Sequence, residues 1–203
     1  MTPLQTLGFA LGTAFASGLN LYATVAVLGL LHRYEIIQLP PSLDVLAHPI
    51  VLVIALALYA VEFVADKVPY IDNAWDVVHT FIRPPAAALL AYSAFGSVPE
   101  SWRMAAGLLA GSVALTSHGT KASTRAAANA SPEPVSNSIL SVAEDGLAVS
   151  LAWMAATYPF LTLVIVAVLV TISIYILVKL FGYLRQALRR LSARIAFLRV
   201  FVS

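Results

Sequence analysis

Long apolar segments, separated by short polar ones, make up most of this sequence. The first 31 residues contain no Asp, Glu, Lys or Arg. Because roughly 20 apolar residues are enough for a helix to cross a bilayer, each apolar segment predicts one transmembrane helix. The six predicted helices cover about residues 1–31, 45–66, 84–98, 102–129, 131–157 and 160–178. The expected fold class is therefore an all-α integral membrane protein, a bundle of six transmembrane helices.

Local signals mark the ends of several segments. Pro40-Pro41 predicts a loop, because proline cannot continue a helix. Ser131-Pro132-Glu133-Pro134 predicts a helix start, with serine as N-cap and a carboxylate near the positive end of the helix dipole. Tyr158-Pro159 predicts the turn before the sixth helix.

The composition supports a membrane environment. Hydrophobic residues make up 60% of the 203 residues and charged residues only 11%, whereas soluble domains carry roughly 25% charged residues. The chain has no cysteine, which excludes disulfides, thiolate metal sites and a cysteine nucleophile. The net charge of +2 does not indicate a nucleic-acid partner.

The basic residues are distributed unevenly over this topology. With six crossings, ten of the twelve lie on the side that holds both termini, and only Arg33 and Arg103 lie on the other. Since cytoplasmic loops are enriched in Lys and Arg, both termini are predicted to be cytoplasmic.

A basic region, residues 181–203, follows the predicted transmembrane domain of residues 1–180. Its apolar residues recur at spacings of three and four and share one helical face: Leu184, Leu188, Leu191, Ile195, Leu198 and Val202. The pattern predicts an amphipathic C-terminal helix. It fits a helix lying on an anionic inner leaflet, and it also fits a helix contact in a homo-oligomer.

Polar residues form stripes on three of the predicted transmembrane helices. The first stripe, on helix 1, comprises Thr13, Ser17, Asn20 and Thr24. Such a stripe can join helices by hydrogen bonds, or it can line a binding site. Asn20 favours the site, because its amide needs partners within the membrane.

The second stripe lies at the end of helix 2, where Glu62 and Asp66 share one face beside Lys67. An ionisable group inside a membrane span is costly and indicates function by default. Asp66 and Lys67 could still reach the membrane interface, whereas Glu62 lies one turn deeper.

The linker after helix 2 is amphipathic. Asp72, Asp76, His79 and Arg83 form its polar face, opposite an apolar face that includes Trp75. Two carboxylates and an imidazole can bind a divalent cation, so Asp72, Asp76 and His79 are weak candidates for metal ligands. The alternative is the solvated face of an interfacial helix.

The third stripe is the most prominent. His118, Lys121, Arg125 and Asn129 recur along helix 4 at spacings of three and four. Either this stripe is a solvated cytoplasmic helix, or it packs inside the bundle, where its cations need anionic partners. The candidate partners are Glu62, Asp66, Glu144 and Asp145.

The two halves of the chain share a pattern. When Gly18 is aligned with Gly119, Asn20 falls opposite Lys121 and Thr24 opposite Arg125. Two three-helix halves, about residues 4–98 and 102–178, would be inverted repeats, an arrangement found in many secondary transporters.

Several motifs together resemble a known family. His118-Gly119-Thr120-Lys121-Ala122-Ser123-Thr124-Arg125, the run Asn129 to Pro134 and Glu144-Asp145 are similar to the DUF4126 family of bacterial integral membrane proteins. The resemblance covers about residues 4–177. It implies a multi-pass protein of the bacterial inner membrane, and because the family's function is unknown, it implies no chemistry.

These patterns predict a transporter or channel for a small polar or charged solute or ion, with a midmembrane polar site and proton coupling as an option. The predicted site residues are Asn20, Glu62, Asp66, His118, Lys121, Arg125, Asn129, Glu144 and Asp145. The stripes mix both signs of charge, so they fit an anion or a cation. The alternatives are a membrane enzyme acting on a lipid headgroup and a non-catalytic membrane scaffold. No cofactor is predicted.

Overall fold

A computed structural model describes residues 1–96, 98–129 and 134–202, with their side chains except those of residues 69, 134–136, 187, 188 and 190–202. These residues form eight α-helices, one 3-10 helix and connecting loops. The α-helices are α1 (Pro3–Leu19), α2 (Leu21–Arg33), α3 (Pro49–Ala65), α4 (Pro69–His79), α5 (Arg83–Ala94), α6 (Glu100–Asn129), α7 (Pro134–Thr157) and α8 (Pro159–Val202). The 3-10 helix, Pro41–Ala47, precedes α3. The all-helical class is confirmed.

Two segments are long and apolar enough to cross a membrane, Asn137–Thr157 in α7 and Pro159–Gln186 in α8. The 3-10 helix and α3 would form a third span if counted together, although they meet at an angle of 62°. Two or three such helices indicate a membrane protein. The six-span count is not confirmed.

The first apolar segment is two helices, not the single helix predicted for residues 1–31. Asn20 separates α1 from α2 in an extended conformation, with φ −150° and ψ 103°. Its side-chain oxygen accepts a hydrogen bond of 2.9 Å from the backbone N–H of Ala23 and so caps the start of α2. Asparagine is among the best N-cap residues, which explains why an apolar helix breaks at this position.

The chain reverses direction at Asn20, so that α1 and α2 form a helical hairpin. Lys121 bonds the carbonyl of Leu19 and the carboxylate of Asp66, and this places the end of α1 beside the end of α3. From there α2 runs back along α3, because Gly29 packs against Leu46, just before α3 begins. Asn20 is therefore the tip of the hairpin.

Helix α1 occupies the centre of the bundle and contacts α5, α6, α7 and α8. Its glycines allow close approach. A Cβ on Gly12 would lie 2.7 Å from the Cβ of Ala155, and one on Gly18 would collide with Ser117. From Gly8 to its end, α1 is thus largely enclosed by small residues of its neighbours.

The bundle has two distinct ends. At one end, which we call end A, Pro3 and Leu7 line an apolar cavity together with Trp102. The other end, which we call end B, holds the Asn20 tip, Lys121 and the start of α5. Helices α1 and α6 run parallel from A to B, since Leu7 lies near Ala106 and Gly18 near Ser117.

This packing changes two predictions. The helices that carry Gly18 and Gly119 run parallel, whereas inverted halves require them to be antiparallel. The N-terminus lies at end A, while α8 starts near Gly8 and passes Gly119 toward end B. The start of α1 and the described end of α8 therefore lie toward opposite ends of the bundle, whereas the six-crossing topology places both termini on one side. Both predictions depended on a single crossing for residues 1–31, which the break at Asn20 removes.

Helix α8 continues without a break from its apolar part to Val202. The predicted amphipathic face of residues 181–203 falls almost entirely on side chains outside those described. The predicted helix start at Ser131, Pro132 and Glu133 also lies outside the described residues.

Candidate functional site

A network of buried ionisable groups lies at end B, beyond the tip of the α1–α2 hairpin. Its members come from α3, α4, α5, α6 and α7. The carboxylates are Glu62, Asp66, Asp72, Asp76, Glu144 and Asp145, and the cations are Arg83, Lys121 and Arg125. The side chain of Glu144 is 14% exposed, and the other eight residues are at most 5% exposed.

Arg83 begins α5 and joins four elements. Its Nη2 donates to the carboxylate of Glu62, and its Nη1 donates to the carbonyl of Gly18 at 2.9 Å and to His118 at 3.0 Å. The Gly18 carbonyl is at the last turn of α1, where cations are favoured by the negative end of the helix dipole. Asp76 lies 4.0 Å from the same guanidinium.

His118 has a defined tautomer in this network. Arginine can only donate, so the Nδ1 atom that faces Arg83 at 3.0 Å must be an acceptor. The proton of the neutral imidazole then lies on Nε2, which is 3.0 Å from the carbonyl oxygen of Asp76 and 2.9 Å from the hydroxyl of Thr80. Both ring nitrogens are engaged, and protonation of His118 would break its bond to Arg83.

Lys121 uses all three of its N–H donors. Its Nζ lies 2.9 Å from Asp66 Oδ2, 3.1 Å from the Leu19 carbonyl and 3.4 Å from Glu62 Oε1. Like Arg83, it bonds a carbonyl at the end of α1 that the helix leaves without an N–H partner. The break at Asn20 thus creates acceptors for two buried cations.

Arg125 makes the largest number of contacts in the site. Its Nε and Nη2 lie 2.9 and 2.8 Å from Glu144 Oε2, and Nη2 lies 3.1 Å from Asp66 Oδ2. Its Nη1 donates to the backbone carbonyl of Asp66, at the end of α3, and to Asn137. Asp72 is 3.6 Å away. Arg125 therefore ties α3, α4, α6 and α7 together.

Two asparagines extend the network. Asn20 donates from Nδ2 to Asp145 Oδ1 at 2.8 Å, which joins the hairpin tip to α7. Asn129 donates to Asp72 Oδ2 at 2.9 Å and to Asn73. The hairpin tip and the last turn of α6 thus both bind acidic side chains of other helices.

The polar face of α4 points into the network and not into solvent. Asp72, Asp76 and His79 are at most 4% exposed, so the expectation of a solvated face is wrong. Burial raises the pKa of the Asp76 carboxyl to about 6, because Lys121 and Arg83 offset the desolvation only in part. Burial also raises the pKa of Asp72 and lowers that of His79.

The weak metal candidates do not form a ready metal site. His79 Nδ1 lies 2.8 Å from the carbonyl of Trp75, so Nδ1 carries the proton, and Nε2 accepts from the hydroxyl of Tyr22 at 3.0 Å. Among the described residues, no group of three His, Cys, Asp or Glu side chains has an arrangement that could hold a metal ion.

The site is unbalanced in charge and in hydrogen bonds. Among the described residues, six carboxylates face three cations, because His118 is neutral. Within the described part of the chain, several buried oxygens have no hydrogen-bond partner: Glu62 Oε2, Asp66 Oδ1, both carboxyl oxygens of Asp76, Asp145 Oδ2, and the hydroxyls of Ser17 and Ser141. Buried carboxylates without donors are costly, so this arrangement favours binding of a proton or a cation.

The predicted polar residues lie together, but the sequence reading missed several members. Arg83 was assigned only to the linker, although it follows His79 at the helical spacing of four. Asn137 bonds Arg125 and Asp66; it belongs to the motifs that resemble the family, but it was not predicted as a site residue. Tyr22 bonds His79 and lies in an apolar segment that gives no signal.

These features define a class: an all-helical membrane protein in which a hairpin and its neighbouring helices surround a buried ion network. A family model described as a domain of unknown function, DUF4126, matches residues 7–179. The chain therefore belongs to the DUF4126 family, and the resemblance drawn from its motifs is confirmed. No curated protein and no solved structure matches the chain.

Proposed function

We propose that this protein is a transporter or channel for a small cation, with proton exchange at the same carboxylates. The observation that carries the proposal is the excess of carboxylates over cations among the described residues of the network, six against three, together with the unpartnered oxygens of Glu62, Asp66, Asp76 and Asp145. A buried charge without a partner costs several kcal/mol. A bound cation or a proton would remove that cost.

The cations of the network argue against an anionic solute. Lys121 already directs its three donors at oxygens of the protein, and Arg125 uses Nε, Nη1 and Nη2 in the same way. An anion would have to displace Glu62, Asp66 or Glu144 from them. The mixed charges of the sequence fit an anion or a cation, and this saturation of the cations supports our choice of a cation.

The depth of the network supports a site near end B and not at midmembrane. Gly119 of α6 lies beside Leu177 of α8. From Pro159 to Leu177 a helix rises about 27 Å at 1.5 Å per residue, and a bilayer core is about 30 Å thick. End B also holds Lys67, Arg83 and the basic residues after Lys179, so we assign it to the cytoplasmic side of a plasma membrane.

The path of the cation would run past Glu144, the most exposed carboxylate of the network. Next to it on α7 lie Ser141 and Asp145, which are one helical turn apart. Each has a buried oxygen without a hydrogen-bond partner among the described residues, and these oxygens would continue the path. Toward end A the way is closed by α1, whose residues from Gly12 to Leu19 are all buried. Transport across the membrane would therefore require movement of the α1–α2 hairpin, with Asn20 and Asp145 at the point of separation.

The alternative of a membrane enzyme finds less support. His79 and His118, the two candidate bases, each have both nitrogens engaged within the protein. Neither has a free lone pair for a substrate proton.

A scaffold is the second candidate, and one observation favours it. Every donor of Lys121 and nearly every donor of the two buried arginines is satisfied by the protein, as expected of an internal brace. The two functions differ in one measurable respect: a scaffold would carry no solute flux across the membrane.

Reconstitution into proteoliposomes tests the proposal. We expect uptake of at least one of Na⁺, K⁺, Mg²⁺ or Ca²⁺, with a pH change in the lumen reported by a trapped dye. Asp145→Asn and Glu62→Gln should lower the flux at least about tenfold, because they remove a charge from the site. Glu100→Gln, which changes an exposed carboxylate at end A, is the matched control and should leave flux unchanged.

Two results would contradict the transporter. Flux equal to that of empty liposomes for all four cations, with a protein that unfolds cooperatively, would leave only the scaffold. Uptake of phosphate or a carboxylate without any cation flux would show that the solute is an anion.

A further inference from the structure

The segment from Tyr70 to Ile82, which contains α4, has its polar side inward and its apolar side outward. Asp72, Asp76 and His79 lie on the buried side. On the opposite side lie six apolar residues that are 38–89% exposed: Tyr70, Ile71, Val77, Val78, Phe81 and Ile82. A helix on the surface of a water-soluble protein has the reverse arrangement.

The orientation of this segment is held by three bonds to two other helices, α2 and α6. Asp72 accepts from Asn129, and His79 accepts from Tyr22. The backbone carbonyl of Asp76 accepts from His118. Turning the apolar side inward would break all of these bonds and would place bulky side chains in a charged network. The apolar side must therefore meet something outside the described fold.

We propose that this outer face lies in the headgroup and upper acyl region of the bilayer leaflet at end B. The segment connects the end of α3 to the start of α5, so it lies at the membrane surface if these helices cross. The exposed aromatic residues of this face, Tyr70 and Phe81, are suited to that boundary. Lys67 precedes it, and Lys179 and Arg185 of α8 lie at the same end, which provides positive charge for an anionic leaflet.

This placement has a consequence for the ion network. The α4 segment and the lipid behind it cover Asp72, Asp76 and His118 on the side of end B. Water and ions in the cytoplasm would then be separated from these groups by a helix held by lipid, and Glu144 remains the accessible carboxylate. The sequence predicted an interfacial helix with its polar face in water. In this proposal α4 is still an interfacial helix, but its polar face points into the protein and its apolar face into the lipid.

Single-tryptophan variants in liposomes test this inference independently of transport. Trp75, Trp102 and Trp153 are first replaced by phenylalanine, and Val78→Trp or Phe81→Trp is added to that background. We expect fluorescence quenching by lipids brominated near the headgroup and protection from aqueous iodide. Tyr175→Trp on the apolar part of α8 is the lipid-facing control, and Asp44→Trp on the exposed 3-10 helix is the water-facing control.

Strong iodide quenching without lipid quenching at both positions would overturn the proposal, because it would place the face in water. Protection from both quenchers would also overturn it, since the face would then be covered by a second copy or another protein. Helix content equal to that of the parent, measured by circular dichroism, ensures that each variant reports on the folded protein.

Discussion

The centre of the ion network differs from its margins. At the centre, Lys121 and Arg125 are surrounded by acceptors, and each of their nitrogens bonds an oxygen of the protein. At the margins, Asp76 on α4 and Asp145 on α7 keep buried oxygens without donors. Saturated groups hold helices together, whereas unsaturated groups are available to a ligand or a proton. The comparison assigns stability to the cations of the centre, and binding to the carboxylate oxygens without donors, which belong to the margins and to Glu62 and Asp66.

Removing Arg125 should have the largest effect on stability. Arg125→Ala leaves Asp66, Asp72 and Glu144 buried with one cation fewer, and breaking a buried pair in this way costs about 3–5 kcal/mol. The free energy of unfolding in mixed detergent micelles should fall by that amount. Arg33→Ala, which removes an exposed arginine at end A, should change it by less than about 0.5 kcal/mol. Equal effects of the two variants would show that the centre does not hold the helices together.

The pair Lys121 and Asp66 allows a sharper test of the centre. Lys121→Met and Asp66→Asn should each destabilise the protein, because each leaves the other member without its partner at 2.9 Å. The double variant should lose less than the sum of the two, with a coupling energy of about 1–3 kcal/mol. Additive losses in the same unfolding measurement would mean that the two groups do not interact.

Much of the network could be predicted from the sequence, because it follows helical spacing. Glu62 with Asp66, and His118 with Lys121 and Arg125, lie on common helix faces, and the rule that buried cations need anions brings the two faces together. The reversal at Asn20 could not be predicted in this way. Residues 1–31 are apolar on both sides of it, and hydropathy alone cannot distinguish one long helix from two antiparallel ones.

The inward polar face of α4 was missed for a related reason. Amphipathic spacing shows that Asp72, Asp76 and His79 share a face, but it does not show which face is buried. In water the apolar face turns inward. Next to a charged core the polar face turns inward instead, and only the contacts with Asn129 and Tyr22 reveal this arrangement.

The pH dependence of stability should distinguish Asp76 at one margin. Its pKa in the folded protein is raised to about 6, so between about pH 4 and 6 the folded state binds a proton that the unfolded state releases. The contribution of Asp76 to stability is therefore present at low pH and is lost as the pH rises through 6. Asp76→Asn, which resembles the protonated form, should match the wild type near pH 4 and be more stable by about 1–3 kcal/mol above pH 7. A constant difference across this range would refute the raised pKa.

Asp145, at the other margin, should show the smallest effect on stability. In Asp145→Asn the remaining side-chain oxygen can still accept from Asn20, as Oδ1 does at 2.8 Å. The new NH₂ group replaces Oδ2, which has no donor among the described residues. The substitution also removes one negative charge from a network in which carboxylates outnumber cations. The free energy of unfolding should therefore stay within about 1 kcal/mol of the wild type or rise slightly. Asp145→Ala is the matched comparison, because it leaves the amide of Asn20 without an acceptor and should be less stable than Asp145→Asn. Asp145→Asn could instead destabilise the protein as much as Arg125→Ala does. The Asp145 carboxylate would then be a structural group, and the distinction between a structural centre and a binding margin would be wrong for α7.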